Sequence, residues 1–147
     1  MKKWILTFKM IRMLIIQPST SYFDVVEKVC REELYKHPDS FYAIWFLGDL
    51  YLQYKKFNEA VFYLEALLPL SQNKKLLFQL SRAYFNLCRY KDVVQVLSKF
   101  DKLPDKHAVT YYLGSSLIEI GQYAEGLQYL EKYSNSHPKD YMVLWKL

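Results

Sequence analysis

Few side chains in this 147-residue sequence are suited to covalent or metal chemistry: two cysteines and three histidines. Cys30 falls on an apolar helical face and Cys88 in a turn, which predicts buried or idle thiols rather than a disulfide or a nucleophile. His37 and His137 each precede a proline at the end of a predicted helix, and they are far apart in the chain. Capping or solvent exposure is therefore expected of them, and no metal site.

No set of residues has the spacing of a catalytic centre. The sequence contains no glycine-rich phosphate loop, no Cys/His metal spacing and no Ser-His-Asp arrangement on plausible elements. The third histidine, His107, lies in a connection, and the acids and bases are scattered as on solvated helix faces. We therefore expect a protein that is not an enzyme and needs no cofactor.

The composition indicates an all-α protein. Apolar residues make up 52% of the chain and aromatic residues 18%, Gly and Pro are sparse, and no strand-like alternation persists. The net charge is +5, but residues 1–17 supply four of these charges through Lys2, Lys3, Lys9 and Arg12. The remainder is nearly neutral, so no nucleic-acid partner is expected.

One helix–turn–helix pattern recurs every 33 residues from Phe41 onward. Its first helix carries the core positions Leu47, Gly48 and Tyr51, and its second helix a pair of core positions separated by four residues. An aromatic residue in each turn, Phe57, Tyr90 or Tyr123, is expected to plug the helix–helix corner. The equivalent core positions are Leu80, Ser81, Tyr84, Leu113, Gly114 and Leu117 in the first helices, and Ala60/Leu64, Val93/Leu97 and Gly126/Leu130 in the second.

These residues resemble the tetratricopeptide repeat (TPR) family, whose pattern is W-x2-L-G-x2-Y, then A-x3-F, then P. The resemblance covers Phe41 to Asp140 and departs from the pattern at Ile44, Leu77 and Thr110 in place of Trp, at Ser81 in place of Gly, and at Gly126 in place of Ala. It implies one domain, a TPR-like α-solenoid of antiparallel helix pairs with a right-handed superhelix. The expected parts are a degenerate helix pair (1–40), repeats at 41–73, 74–106 and 107–140, and the start of a truncated helix (141–147). At Gly126 we expect the helix to be looser than with Ala, by up to ~1 kcal/mol.

The resemblance also implies which residues face a concave groove: those beside the core stripe on each first helix. Family members that capture a C-terminal carboxylate use Lys, Arg and Asn on this surface, whereas here only Arg82 corresponds. Asp49 is expected to pair with Arg82 across adjacent helices. The resemblance therefore implies an aromatic-lined groove that binds an apolar or amphipathic segment of a partner protein. The groove residues so implied are Tyr42, Trp45, Asp49, Leu52, Phe78, Arg82, Phe85, Tyr111, Ser115 and Ile118. The alternative is that some of these rings are core, packed between first helices.

The N-terminal segment is apolar with interspersed cations. Trp4, Phe8, Ile11 and Ile15 are spaced as one helical stripe. Lys9 and Arg12 argue against a secretory signal or a spanning helix. The favoured interpretation is the first helix of a degenerate repeat, with this stripe facing the next helix. The alternatives are that the stripe fills the groove, or that the helix lies on an anionic membrane as the anchor of a membrane-peripheral adaptor.

The last seven residues, 141–147, resemble the opening of a fourth unit with no second helix to cover Tyr141, Leu144 and Trp145. We therefore expect either a fragment of a longer array or an end that pairs with another chain as an oligomer. A cytoplasmic interaction scaffold is the leading interpretation. A third alternative is a secretion-type TPR chaperone, which the repeat number and the aromatic groove support.

Overall fold

The computed structural model describes residues 2–17, 19–71, 73–100 and 109–138. Within these ranges the chain forms eight α-helices and no strand, which confirms the all-α prediction. The connection at 101–106, His107 and the predicted start of a fourth unit at 141–147 lie outside the described residues. The helices are α1 (Lys3–Ile16), α2 (Tyr22–Lys36), α3 (Phe41–Gln53), α4 (Phe57–Ala66), α5 (Lys74–Asn86), α6 (Tyr90–Leu97), α7 (Val109–Glu119) and α8 (Tyr123–Ser136).

The chain divides into two compact units, Met1–Leu76 and Leu77–Leu147, with the boundary inside α5. In unit 1, α1 packs on α2 and α3, α2 packs on α3, and α3 packs on α4. In unit 2, α6 packs on α7 and α7 packs on α8. The predicted single domain and its repeat boundaries stay predictions.

The core positions that recur every 33 residues are all buried, as predicted. Leu47, Leu80 and Leu64 are among the fully buried side chains, together with Leu97 and Leu130 of the second helices. An amphipathic helix lowers its free energy by removing such a stripe from water, at roughly 25 cal/mol per Å² of apolar surface. The spacing in the sequence is therefore the spacing of buried side chains in the structure.

Each of the three hairpin turns ends its first helix with the same backbone motif. The amides of Lys56, Arg89 and Gln122 donate to carbonyls five residues earlier, at 2.8, 2.9 and 2.8 Å. The residue before each donor has a positive φ: 58° at Lys55, 56° at Cys88 and 88° at Gly121. This is the Schellman ending of a helix, in which a left-handed residue lets two amides reach back to the last carbonyls.

The aromatic residue of each turn is the first residue of the second helix. Phe57 and Tyr90 are half-buried, and the ring of Tyr90 lies 5.8 Å from that of Phe85. Tyr123, in contrast, is 65% exposed. The prediction that an aromatic plugs the corner is therefore wrong for Tyr123, because the left-handed turn before it aims the first residue of α8 toward water.

Helix α2 follows the sequence prediction closely. Ser21 caps it, since its Oγ accepts a hydrogen bond from the amide of Phe23 at 3.2 Å. The four residues expected to point inward, Val25, Val26, Val29 and Cys30, are all buried. Burial raises the pKa of the Cys30 thiol to about 12, whereas Cys88 lies exposed in its turn.

Tyr51 of α3 joins α2 through its hydroxyl group. That hydroxyl donates to a carboxylate oxygen of Glu27, and Arg31 donates to both Glu27 and the Tyr51 oxygen at 3.0 Å. The hydrogen bond from Tyr51 is the main reason why the pKa of Glu27 is lowered. Burial, followed by the bond to Glu27, raises the pKa of Tyr51 to about 12.

Helix α1 presents the opposite face to its neighbours from the one the sequence favoured. Leu6 and Met10 are its buried side chains, whereas the stripe of Trp4, Phe8, Ile11 and Ile15 is exposed. The prediction that this stripe faces the next helix is therefore wrong. The helix is apolar on two sides, so two stripes have helical spacing and periodicity alone cannot choose between them. Among the described residues, no helix has the length and hydropathy needed to cross a bilayer.

Candidate partner-binding faces

Two helix starts in unit 1 bring a tryptophan and two lysines together. Helix α3 places Tyr42 and Trp45 three residues apart, so their rings share one side of the helix and lie 6.5 Å apart in a stacked arrangement. Helix α5 begins after Asn73, whose Oδ1 accepts a hydrogen bond from the amide of Leu76 at 2.9 Å. That cap fixes Lys75 in the first turn of α5, and Lys3 is the first residue of α1.

Both lysine ammonium groups lie over the indole ring of Trp45. The Nζ of Lys75 is 4.8 Å from the ring centroid and the Nζ of Lys3 is 5.5 Å from it. A cation in the first turn of a helix is unfavourable beside the helix dipole, and a cation–π contact offsets that cost by ~0.5–1 kcal/mol at an exposed site. We call this surface the Trp45 face, defined by Tyr42, Trp45, Asp49, Lys3 and Lys75.

The Trp45 face encloses a shallow pocket with a volume of about 50 Å³. Its lining residues are Lys3, Trp45, Phe46, Asp49 and Lys75. Asp49 is held within α3, where its Oδ2 accepts a hydrogen bond from Gln53 at 2.6 Å. A pocket of this size holds one side chain, and two ammonium groups around an indole favour a side chain with apolar atoms next to a carboxylate.

Leu52, which the resemblance assigned to the groove, is buried in unit 1 with 3% of its surface exposed. Leu50, Tyr51 and Leu52 are consecutive buried residues, so this end of α3 is covered on most of its circumference. Helices α2 and α4 both pack on α3 and help to cover it. Leu52 is therefore not available to a partner in this structure, whereas Tyr42, Trp45 and Asp49 are half-exposed.

In unit 2 the aromatic residues pack mainly on one another. The ring of Phe85 lies 4.9 Å from Tyr112 and 5.9 Å from Tyr111, and Tyr111 lies 5.8 Å from Tyr133. Such ring pairs each contribute ~0.5–1.5 kcal/mol beyond their burial. Burial raises the pKa of Tyr112, and the positive charge of Arg82 opposes that shift. We call these four rings the Phe85 cluster; its two predicted groove residues, Phe85 and Tyr111, remain half-exposed.

The other groove residues assigned to unit 2 have different surroundings. Phe78 is half-buried beside Phe100, with ring centroids 6.2 Å apart, and Arg82 is exposed. Ile118 packs against the buried Leu130 and Tyr133 of α8. Ser115 has no exposed surface, because five consecutive residues of α7 from Leu113 to Leu117 are buried. Ser115 is therefore an interior residue and does not contact solvent.

Unit 2 also contains a cavity of about 210 Å³ among α6, α7 and α8. Its walls include Val94, Leu97, Leu113 and Leu117, with Gln122 and Glu125 at the polar side. Across the ranges that the structure describes, no three His, Cys, Asp or Glu side chains converge as metal ligands would. The chemistry that these faces offer is recognition of side chains.

Sequence reasoning missed Lys3 and Lys75 as members of the Trp45 face. Both lie outside the positions that the resemblance implies, and they reach Trp45 from other helices. The available signal was Lys74-Lys75 at the start of α5, where cations are disfavoured by the helix dipole. The structure thus adds two positive charges to a surface that the sequence described as largely apolar. The expected pairing of Asp49 with Arg82 stays a prediction.

The paired helices, the recurring core positions and the repeated turn define a TPR-type helical repeat protein. The family model described as "Anaphase-promoting complex, cyclosome, subunit 3" matches residues 53–133, more than half of the chain, and the chain belongs to this TPR-type family. Families of this type are generally non-enzymatic scaffolds that bind other proteins. A search of curated proteins gives no match.

Proposed function

We propose that this chain is an interaction scaffold that holds an amphipathic segment of a partner protein on the Trp45 face. The observation that carries the proposal is the half-exposed Trp45 with ammonium groups at 4.8 and 5.5 Å from its ring centroid. An apolar side chain of the partner packs on the indole, and an acidic side chain next to it pairs with Lys75 or Lys3. Aromatic anchors of this kind are worth ≥ ~2 kcal/mol at the centre of an interface.

The Phe85 cluster supports a second contact with apolar side chains in unit 2. Its rings are already ordered by one another, so binding there loses little side-chain freedom. The name of the family refers to a subunit of a multiprotein complex, which fits a protein that holds other chains. The proposed ligand is apolar or amphipathic with acidic residues, and it is not a C-terminal carboxylate held by a ring of cations.

A displayed library of random peptides tests this function across all partner sequences at once. We expect wild type to enrich peptides in which an acidic residue is adjacent to an aromatic or aliphatic one. Lys75→Glu is exposed and outside the core, so it should keep the fold and reverse the preference from acidic to basic residues. Trp45→Ala should lower the affinity of the enriched peptides about 30-fold, as the loss of an anchor worth ~2 kcal/mol requires.

Tyr123→Ala is the matched control, because Tyr123 is an exposed aromatic outside both faces. Its affinity for the selected peptides should equal that of wild type. Circular dichroism and thermal unfolding of each variant separate loss of binding from loss of fold. Enrichment that is unchanged in both Lys75→Glu and a folded Trp45→Ala would overturn the proposal.

A further inference from the structure

The outer side of α1 is a continuous apolar surface. Trp4, Phe8, Ile11 and Ile15 are 66%, 63%, 50% and 73% exposed, and their spacing of four, three and four residues aligns them on one side of the helix. We call this surface the α1 outer stripe. Single exposed apolar residues are ordinary, but a contiguous row of four large ones indicates a surface that another phase or molecule covers.

The opposite side of α1 is already occupied, so the α1 outer stripe cannot turn inward at low cost. Leu6 and Met10 are buried on that side, and α1 packs on α2 and α3. Lys9 adds an ion pair with Glu33 of α2, whose carboxylate is buried, at 3.8 Å. Exchanging the two sides would bring Leu6 and Met10 into water and separate this pair. The helix is therefore held in place with its outer stripe facing away from unit 1.

The charges on α1 select the phase that covers the stripe. The segment from residue 2 to residue 17 has four cations and no acid. Arg12 is exposed and lies four residues after Phe8 and three before Ile15, so it borders the stripe. A surface with Trp, Phe and Ile on one side and Lys or Arg along its edges complements the headgroups and acyl boundary of an anionic bilayer.

The shape of the stripe also favours lipid over protein. A single helix is a convex ridge, which a protein partner covers only with a matching groove, whereas lipid chains adapt to it. With 14 residues, α1 is ~21 Å long, too short to cross a bilayer and long enough to lie in its surface. We propose that α1 binds the surface of an anionic lipid bilayer, with the α1 outer stripe in the acyl boundary and Lys2 and Arg12 at the headgroups.

Vesicle flotation of the full chain tests the proposal. We expect wild type to float with vesicles of phosphatidylcholine and phosphatidylserine, and to remain behind with phosphatidylcholine alone or at high salt. The double variant Phe8→Ser/Ile15→Ser should reduce the bound fraction about tenfold or more, because it removes two apolar side chains from the contact. Phe62→Ser is the matched control, since Phe62 of α4 is a similarly exposed phenylalanine at 71%.

A charge variant and a spectroscopic reading test the same contact independently. Arg12→Glu should weaken binding to the serine-containing vesicles at least about fivefold, whereas Lys132→Glu on the exposed side of α8 should leave it unchanged. Trp45→Phe combined with Trp145→Phe leaves Trp4 as the only tryptophan of the three. The emission of Trp4 should shift to shorter wavelength when these vesicles are added.

Several results would overturn the membrane assignment. One is the absence of binding to the serine-containing vesicles; another is an equal loss of binding in Phe62→Ser. A third is sedimentation of wild type as a dimer, with Phe8→Ser/Ile15→Ser monomeric and neither binding vesicles, because a second copy would then cover the stripe. Lys75→Glu should bind vesicles as wild type does, so failure of the peptide-binding function and failure of this proposal give different results.

Discussion

The hairpins α3–α4 and α7–α8 occupy equivalent repeat positions but bring their helices together differently. In α3–α4, a Cβ placed on Gly48 would lie 2.6 Å from Cδ2 of Leu64, which is the end of a flexible side chain. In α7–α8, two glycines face each other, and a Cβ on Gly126 would lie 2.8 Å from the carbonyl oxygen of Gly114. The first crossing is thus filled by a side chain, whereas in the second the backbones themselves nearly touch.

This difference reverses the sequence expectation for Gly126. Where the TPR pattern has Ala, the glycine was expected to loosen its helix. The structure has no space for a methyl group there, because Ile118 Cγ1 would also lie only 2.7 Å away. The comparison teaches that the same repeat position is limited by helix propensity in one hairpin and by the distance between two backbones in another.

Gly126→Ala should have the largest effect, a loss of about 2–3 kcal/mol in the free energy of unfolding. The added methyl group forces α8 away from α7, and this overpacking outweighs the gain in helix propensity. Urea denaturation measures it. Gly48→Ala is the matched substitution in α3–α4, and it should cost about 1 kcal/mol or less because Leu64 can rotate. Equal costs in the two variants would show that the two crossings do not differ.

Tyr51→Phe should have the second largest effect, a loss of about 1–2 kcal/mol. It removes the hydroxyl that donates to Glu27, and hydrogen bonds to charged groups are worth ~1.5–3 kcal/mol before water replaces them. The equivalent residue in α7–α8 is Leu117, which is buried and makes no such bond because it has no polar side-chain atom. The hydroxyl is therefore a contribution to stability that only the first of these two hairpins has.

The same variant predicts a change in pH dependence. The pKa of Tyr51 is raised from 10.0 to about 12, so its contribution is complete below pH 10.0 and is lost as the pH rises toward 12. The pKa of Glu27 is lowered from 4.5, so its contribution is present above that pH and is lost as the pH falls through the folded value. Tyr51→Phe should flatten the alkaline loss and reduce the acid loss in urea titrations. Unchanged curves at both ends would contradict the hydrogen-bonded arrangement.

The turns should give the smallest effects, and with opposite signs in the two hairpins. Gly121 has a φ of 88°, and a Cβ added there would have no heavy atom within 4 Å, so Gly121→Ala should cost about 1 kcal/mol through backbone strain alone. Lys55 takes the left-handed conformation without being glycine, so Lys55→Gly should add up to ~1 kcal/mol. Lys55→Ala, which keeps the Cβ, is the control and should be near neutral. Thermal unfolding measures all three, and shifts of the same sign would refute the account.

The repeat core was predictable from the sequence because burial recurs with the period of the pattern. Leu47, Leu80 and Leu113 sit 33 residues apart, and each is buried by its own hairpin, so a local signal is sufficient. The cap at Ser21 and the inward residues of α2 were predictable for the same reason: their partners are near in sequence. The expectation for Gly126 was wrong because the limiting contact is with α7, which a propensity scale does not include.

The candidate faces were less predictable, because long-range contacts decide them. Lys3 and Trp45 meet across three helices, and no periodic signal links them. The choice between Leu6 with Met10 and the α1 outer stripe depends on which side α2 accepts. The burial of Ser115 depends on the neighbours on every side of α7. These outcomes require the packing of whole helices, and the residue spacing within one helix does not contain it.

Burial of Cys30 has a practical consequence for following the motions of unit 1. An alkylating reagent attacks the thiolate, and a thiol that is enclosed with a pKa of about 12 is almost never in that form. Modification of Cys30 in native protein must therefore wait for α2 to open transiently, whereas Cys88 reacts at once. The lag between the two reactions is a clock for local unfolding that the protein carries without any added probe.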